Sequence, residues 1–320
     1  MPVLTPALPM PAVPMPAVLT PALRAQRAAA IADRAVGALV AEALLTPKPA
    51  LVDRRGCGAH RDLDLGRLLR SAGALRTGFE RMAQCAQGRQ PSASLREDLG
   101  RIGREAESAM LAATGGSNAH RGAIWMLGLL TSAQAMDPAP ARPERVADLA
   151  ATLARFADRF APRRPSNGSR ACARYGVPGA RGEASSGFPH VIGVGLPALR
   201  CARARGLAEH CARLDALMAI MARLEDTCLL HRGGRSALKA AQAGARAVIA
   251  SGGCSTTDGR HALLALDRDL LRRWASPGGS ADVLSACLFL EGDAPVAELF
   301  ADAVEGAQAG SCAVEESWSS

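Results

Sequence analysis

Residues 46–64, TPKPALVDRRGCGAHRDLD, concentrate side chains that can do chemistry. Lys48, Arg54, Arg55, His60 and Arg61 stand beside Asp53, Asp62 and Asp64. Two prolines and two glycines break the stretch, which predicts a loop rather than a helix. Loops carry functional groups at the surface of rigid scaffolds. Charge of both signs on one loop suits a phosphate-rich ligand and a divalent cation. Taken alone, the same loop reads more readily as a solvated connector.

Four more polar, glycine-rich stretches follow. Residues 114–122, TGGSNAHRG, offer Gly115 and Gly122 for close backbone approach, Asn118 as a helix cap, and His120 and Arg121 as donors. Residues 175–189, YGVPGARGEASSGFP, hold Arg181 and Glu183, which as a surface pair contribute little. Residues 225–234, EDTCLLHRGG, join Asp226 to Arg232 and Gly233. Residues 276–282, SPGGSAD, lead into a helix that Ser280 can cap, with Asp282 complementing its dipole.

The elements between these stretches must position them. Apolar residues recur at three- and four-residue spacing over 25–45, 66–87, 95–113, 119–135, 143–160, 189–204, 207–224, 235–250, 259–274, 279–291 and 295–307. No run of alternating β-branched residues predicts a strand. The expectation is an all-α fold: a single multi-helix domain over 25–307, with the glycine-rich polar loops forming the site. Residues 1–24 repeat VLTPAL and MPAV and read as a low-complexity, disordered extension; 308–320 read as a flexible tail. Residues 136–145 are the expected flexible connector.

Composition narrows the function. Aromatic residues make up 3% of the chain, too few to supply base-stacking platforms for nucleic acid. The net charge of +8 is almost all arginine, since Lys48 and Lys239 are the only lysines. A GC-rich genome accounts for most of it; the functional reading applies to arginines inside motifs. Nine cysteines without a C-x-x-C pair indicate neither a disulfide framework nor a zinc site, and fit a reducing, cytoplasmic setting. No uninterrupted apolar run predicts a membrane span.

The strings LLTPKPALVDRRGCGAHRDLD, TGGSNAHRGAIWMLGLL, YGVPGARGEASSGFP, EDTCLLHRGG and SPGGSADVL, in this order, resemble the triphosphoribosyl-dephospho-CoA synthase family. The resemblance covers about residues 30–291. It implies a pentosyltransferase that makes the prosthetic-group precursor of malonate decarboxylase or citrate lyase. The 5-triphosphoribosyl group of ATP passes to the ribose 2′-hydroxyl of 3′-dephospho-CoA, and adenine leaves. A further transferase then loads an acyl carrier protein. The lack of space for a fused second domain favours the malonate decarboxylase branch.

That chemistry sets roles. Lys48, Arg54, Gly115, Asn118, Arg121, Gly122, Arg181, Arg232 and Gly233 are candidates for substrate and phosphate contacts. Asp53, Asp62, Asp64 and Asp226 are candidates for Mg²⁺, the implied cofactor. Glu183 and Asp226 are candidate carboxylates at the glycosidic centre, with His60 or His120 as proton carrier. A metal-dependent ADP-ribosyl hydrolase-like enzyme and a non-catalytic nucleotide-binding protein remain open alternatives. The oligomeric state is not legible.

Overall fold

Six helices begin where the sequence supplies a side-chain acceptor for an orphan backbone N–H. Thr20 caps α1 (Pro21–Leu44), Asp64 caps α2 (Leu65–Ala74) and Ser92 caps α4 (Ala93–Thr114). Ser166 caps α7 (Asn167–Tyr175), Asp226 caps α11 (Thr227–Ala250) and Thr256 caps α12 (Thr257–Arg272). The remaining helices are α3 (Arg76–Ala86), α5 (Arg121–Met136), α6 (Pro143–Arg155), α8 (Gly179–Ser185), α9 (Leu196–Ala204), α10 (Glu209–Met221) and α13 (Gly278–Glu291). A π-helical turn, Val191–Gly195, runs into α9.

This computed structural model describes residues 20–137, 142–162 and 164–292. Among them no strand occurs; one isolated bridge joins Asp53 and Gly56. The all-α expectation is met.

α1, α5 and α13 form the centre. α13 and α5 are buried along nearly their whole length, as helices without a polar face must be. α1 packs on α3, α13, α2 and α5, and α13 packs on α5 and α10. This arrangement brings the N-termini of α5 and α13 against each other, with that of α11 adjoining.

Several element boundaries differ from the periodicity. The 66–87 run divides at Leu75 into α2 and α3. The 143–160 run ends at Arg155. The 225–234 stretch, expected as a loop, forms the first turns of α11, because Asp226 caps it. Short helices α7 and α8 fall where loops are expected. α1 starts at Pro21, inside the expected extension. The rest of that extension, the 295–307 helix and the 308–320 tail lie outside the described residues, as does the middle of the 136–145 connector.

Candidate active site

The 46–64 loop is fastened from several sides. Gly58 sits at φ 55°, and a Cβ there would lie 2.5 Å from the Ala50 carbonyl oxygen. Asp53 accepts from the Lys48 N–H at 2.8 Å and from the Arg55 Nε at 3.0 Å. Asp267 of α12 accepts from the Ala50 N–H at 2.7 Å and from Arg55 at 2.8 Å. Arg55, to which the sequence assigns no role, is therefore the staple between loop and α12. Asp53 is 2% exposed and its oxygens are already held by the loop.

Lys48 points inward. It is 1% exposed, and its Nζ donates to Glu42 Oε1 and to the Glu42 carbonyl, both at 2.6 Å. Glu42 sits in the last turns of α1, an apolar run that carries no motif. Arg54 lies elsewhere. With Thr46, Glu209, His210 and Arg213 it lines an open groove of about 390 Å³ between α1 and α10.

His60 binds the loop to two other motifs. Arg232 donates to its Nδ1 at 3.0 Å and to the Ala59 carbonyl at 2.9 Å. Because arginine only donates, Nδ1 accepts, and Nε2 carries the proton toward Ser276 Oγ at 3.0 Å. Burial, then the Arg232 charge, lower its pKa to about 4. His60 is therefore neutral at pH 7. Asp62 stands 3.8 Å away on the surface. Asp64 is occupied as the α2 cap, accepting from the Arg67 N–H at 2.7 Å.

His120 occupies the N-cap position of α5, 4% exposed. Its Nδ1 is 2.7 Å from Ser71 Oγ, and its Nε2 has no hydrogen-bond partner. Burial, with a smaller contribution from the Lys48 charge, lowers its pKa to about 4. Asn118 accepts from the Arg121 N–H at 3.2 Å. Arg121 is partly exposed and pairs with Glu107 at 2.7 Å. Gly115 closes α4 at φ 67° on the surface.

Asp226 is a structural anchor. It is 1% exposed and accepts from the Cys228 N–H at 2.8 Å, the Ser280 N–H at 2.8 Å and the Ser280 hydroxyl at 2.9 Å. It thereby ties the start of α13 to the start of α11. A Cβ on Gly279 would stand 2.9 Å from its Oδ1. Burial nevertheless raises its pKa. Gly233 packs against its own helix at Ala237, and Gly234, at φ 65°, bends α11 next to the Tyr175 hydroxyl.

The expected Arg181–Glu183 surface pair is replaced by two other contacts. Arg181 lies over the Trp125 ring at 5.6 Å. Glu183 is buried and accepts from His190, at 2.8 Å from the backbone N–H and 2.7 Å from Nδ1. That carboxylate raises the His190 pKa. The pair stands at the entry of the π turn, a feature frequent at functional sites.

Asp282 is the site residue that sequence patterning undervalues. Its carboxylate faces the N-terminus of α5, within reach of the Ala123 N–H, and a Cβ on Gly122 would overlap it. Glu42 and Asp226 act on it electrostatically; burial and these two charges raise its pKa well above the usual carboxylate range. Spacing could not find this, because the cluster joins α1, α11 and α13.

The four carboxylates nominated for a metal do not meet. Asp53, Asp64 and Asp226 each serve their own backbone, and Asp62 stands apart. No group of three His, Cys, Asp or Glu among the described residues is arranged to hold a cation. No helix among them is long and apolar enough to cross a membrane.

Comparison with known proteins fits this picture. A family model described as ATP:dephospho-CoA triphosphoribosyl transferase (CitG) matches residues 28–294. A probable 2-(5''-triphosphoribosyl)-3'-dephosphocoenzyme-A synthase of Azotobacter vinelandii is 56% identical over 81% of this chain and 90% of its own length. The 2-(5''-triphosphoribosyl)-3'-dephosphocoenzyme-A synthase of Klebsiella pneumoniae is 52% identical over 82% of this chain and 93% of its own. No solved structure matches. Helical fold and these relatives together define an all-α pentosyltransferase. The chain belongs to the ATP:dephospho-CoA triphosphoribosyl transferase family.

Proposed function

We propose that this enzyme transfers the 5-triphosphoribosyl group of ATP to the ribose 2′-hydroxyl of 3′-dephospho-CoA and releases adenine. The observation that carries the reading is family membership over residues 28–294, a span that contains all five polar motifs. The geometry supports it. Arg121 and Arg232 stay on the accessible side of the motifs, and the first-turn N–H groups of α5 adjoin Arg121. Guanidinium forks and helix N-termini suit a triphosphate. Near the start of α5 lies Asp282, on which Glu42 and Asp226 act electrostatically; Glu42, ion-paired to Lys48, is the carboxylate that an oxocarbenium-like ribose centre calls for. Lys48 holds Glu42 in place there rather than meeting phosphate itself.

The described residues supply no protein cage for Mg²⁺. We therefore assign the ion to the nucleotide, where phosphate oxygens and water provide most of its ligands. The expected setting is the cytoplasm, in keeping with cysteines spaced for neither a disulfide framework nor a zinc site.

Chromatography of ATP incubated with Mg²⁺, with and without 3′-dephospho-CoA, tests the reading. Adenine appears only with dephospho-CoA. Adenine or ADP-ribose-type products formed without it point to a hydrolase, and bound but unchanged ATP to a non-catalytic binder.

For the product's destination we propose the acyl carrier protein of malonate decarboxylase, through a separate loading transferase. The arginine-rich, GC-biased composition favours that branch over citrate lyase. Neighbouring genes decide it: malonate decarboxylase subunits support this branch and citrate lyase subunits oppose it.

A further inference from the structure

Glu42 of α1 and Asp226 at the α11 cap both act electrostatically on Asp282 of α13, but the three carboxyl groups are held differently. Asp226 is sealed at 1% exposure, with donors on both oxygens. Glu42 is 5% exposed and bound to Lys48. Asp282 keeps part of its surface open, and among the described residues no cation pairs with it; its one donor is the Ala123 N–H. Of the three carboxyl groups it alone both feels the other two and keeps an open edge.

A second observation comes from the start of the helix that carries Ala123, α5. The His120 Nε2 is buried without a partner, two residues before the glycine on which Asp282 rests. Ser71 occupies its Nδ1, so Nε2 lies on the opposite edge of the ring. The charge it feels is Lys48, which sits on Glu42. A buried polar atom left unsatisfied in this way is expensive unless a ligand or water completes it.

We propose that Asp282 is a catalytic residue, the general acid that protonates the departing adenine. This rests on the reaction given under Proposed function. As the C1′–N9 bond of ATP breaks, its electron pair goes to adenine, and the Asp282 carboxyl gives its proton to a ring nitrogen of that base. The 2′-hydroxyl oxygen of dephospho-CoA forms the new bond to C1′. The hydroxyl proton leaves to water, from which Asp282 is recharged, so protons balance over the turnover.

The surroundings make a neutral carboxyl natural here. Glu42 comes from α1, Asp226 from the α11 cap and Cys228 from the first turn of α11; Lys48 acts through Glu42. The nearby carboxyl groups and partial burial favour the protonated form. Sites of this kind hold an acid at neutral pH.

The test uses purified full-length protein and adenine release as readout. In the wild type, kcat stays level through neutral pH and falls on the alkaline side as the acid is lost. A wild-type kcat that holds level or rises to pH 9 overturns the proposal, with no variant needed. Asp282→Asn lowers kcat by ~100-fold or more, leaves KM for ATP within about threefold, and removes the alkaline fall. Asp282→Glu recovers part of the rate. Equal losses in both variants with a raised KM, or an alkaline limb that survives in Asp282→Asn, assign Asp282 to scaffolding and overturn the proposal. If the wild type releases no adenine in the presence of dephospho-CoA, the reaction itself fails and Asp282 falls with it. Normal adenine release with an inert Asp282→Asn substitution removes only this inference.

Discussion

Lys48 illustrates how a residue's burial decides its role. A lysine in a proline- and glycine-broken loop reads as solvent-facing, with phosphate as its expected partner. Instead its ammonium is enclosed with the Glu42 carboxylate at 2.6 Å. Removing one member of a buried pair leaves the other charge without compensation, which costs about 3–5 kcal/mol. Lys48→Met is therefore expected to lower unfolding free energy by roughly that amount in urea titrations. Adding Glu42→Gln to Lys48→Met should recover most of the loss. A double variant as unstable as the single one would show that Lys48 stabilises by packing alone. Glu42 is invisible in the sequence because it lies in an apolar helix without a motif, and a helix face shows its partners only after the loop has folded back. His60 is legible as a motif residue. Its neutral tautomer is not, because Arg232 and Ser276 come from 172 and 216 residues away.

At the scale of elements, helix type and order are largely legible, since caps and 3.6-residue periodicity are local. Asp226 shows the limit. In sequence it belongs to an acidic pair with no visible partner, yet it caps α11 and holds the start of α13 as well. The short helices α7 and α8 give no periodicity over which to detect them. The junction of α5 and α13 is not legible at all, because it depends on an absent side chain. Gly122 opens α5, and any Cβ there would overlap the Asp282 carboxylate. Alanine is favoured over glycine in a helix by ~1 kcal/mol. Gly122→Ala therefore trades a local gain against displacement of Asp282. The expected outcome is a melting temperature within a few degrees of wild type and a kcat reduced by ~10-fold or more. Full activity in this variant would mean that the α5–α13 junction can open without consequence for the reaction.

Over the whole molecule, the buried titratable groups divide into two opposed sets. His60 and His120 have pKa values lowered to about 4. A lowered histidine adds stability above its unfolded value, near 6.5, and that stability is lost as pH falls from there toward 4. Asp226 and Asp282 have raised values. A raised carboxyl works in the other direction: the folded state holds a proton that the unfolded chain has released, so stability falls as pH rises above about 4. Between pH 4 and 6.5 the two sets oppose one another, and the wild-type stability curve should be shallow there. Asp282→Asn removes one retained proton from the folded state. Its unfolding free energy should then rise with pH more steeply than the wild type's, by up to about 1.4 kcal/mol per pH unit. Urea unfolding at pH 4.5, 5.5 and 6.5 measures the two slopes directly. The slope is the decisive quantity, because any packing or hydrogen bonding that the amide alters shifts both ends of the curve equally. A widening stability advantage for Asp282→Asn, in a variant slow at turnover, would place the cost of the folded site on the group that the reaction needs. Parallel curves would mean that Asp282 is ionised throughout, and that the recess stabilises its charge instead of its proton.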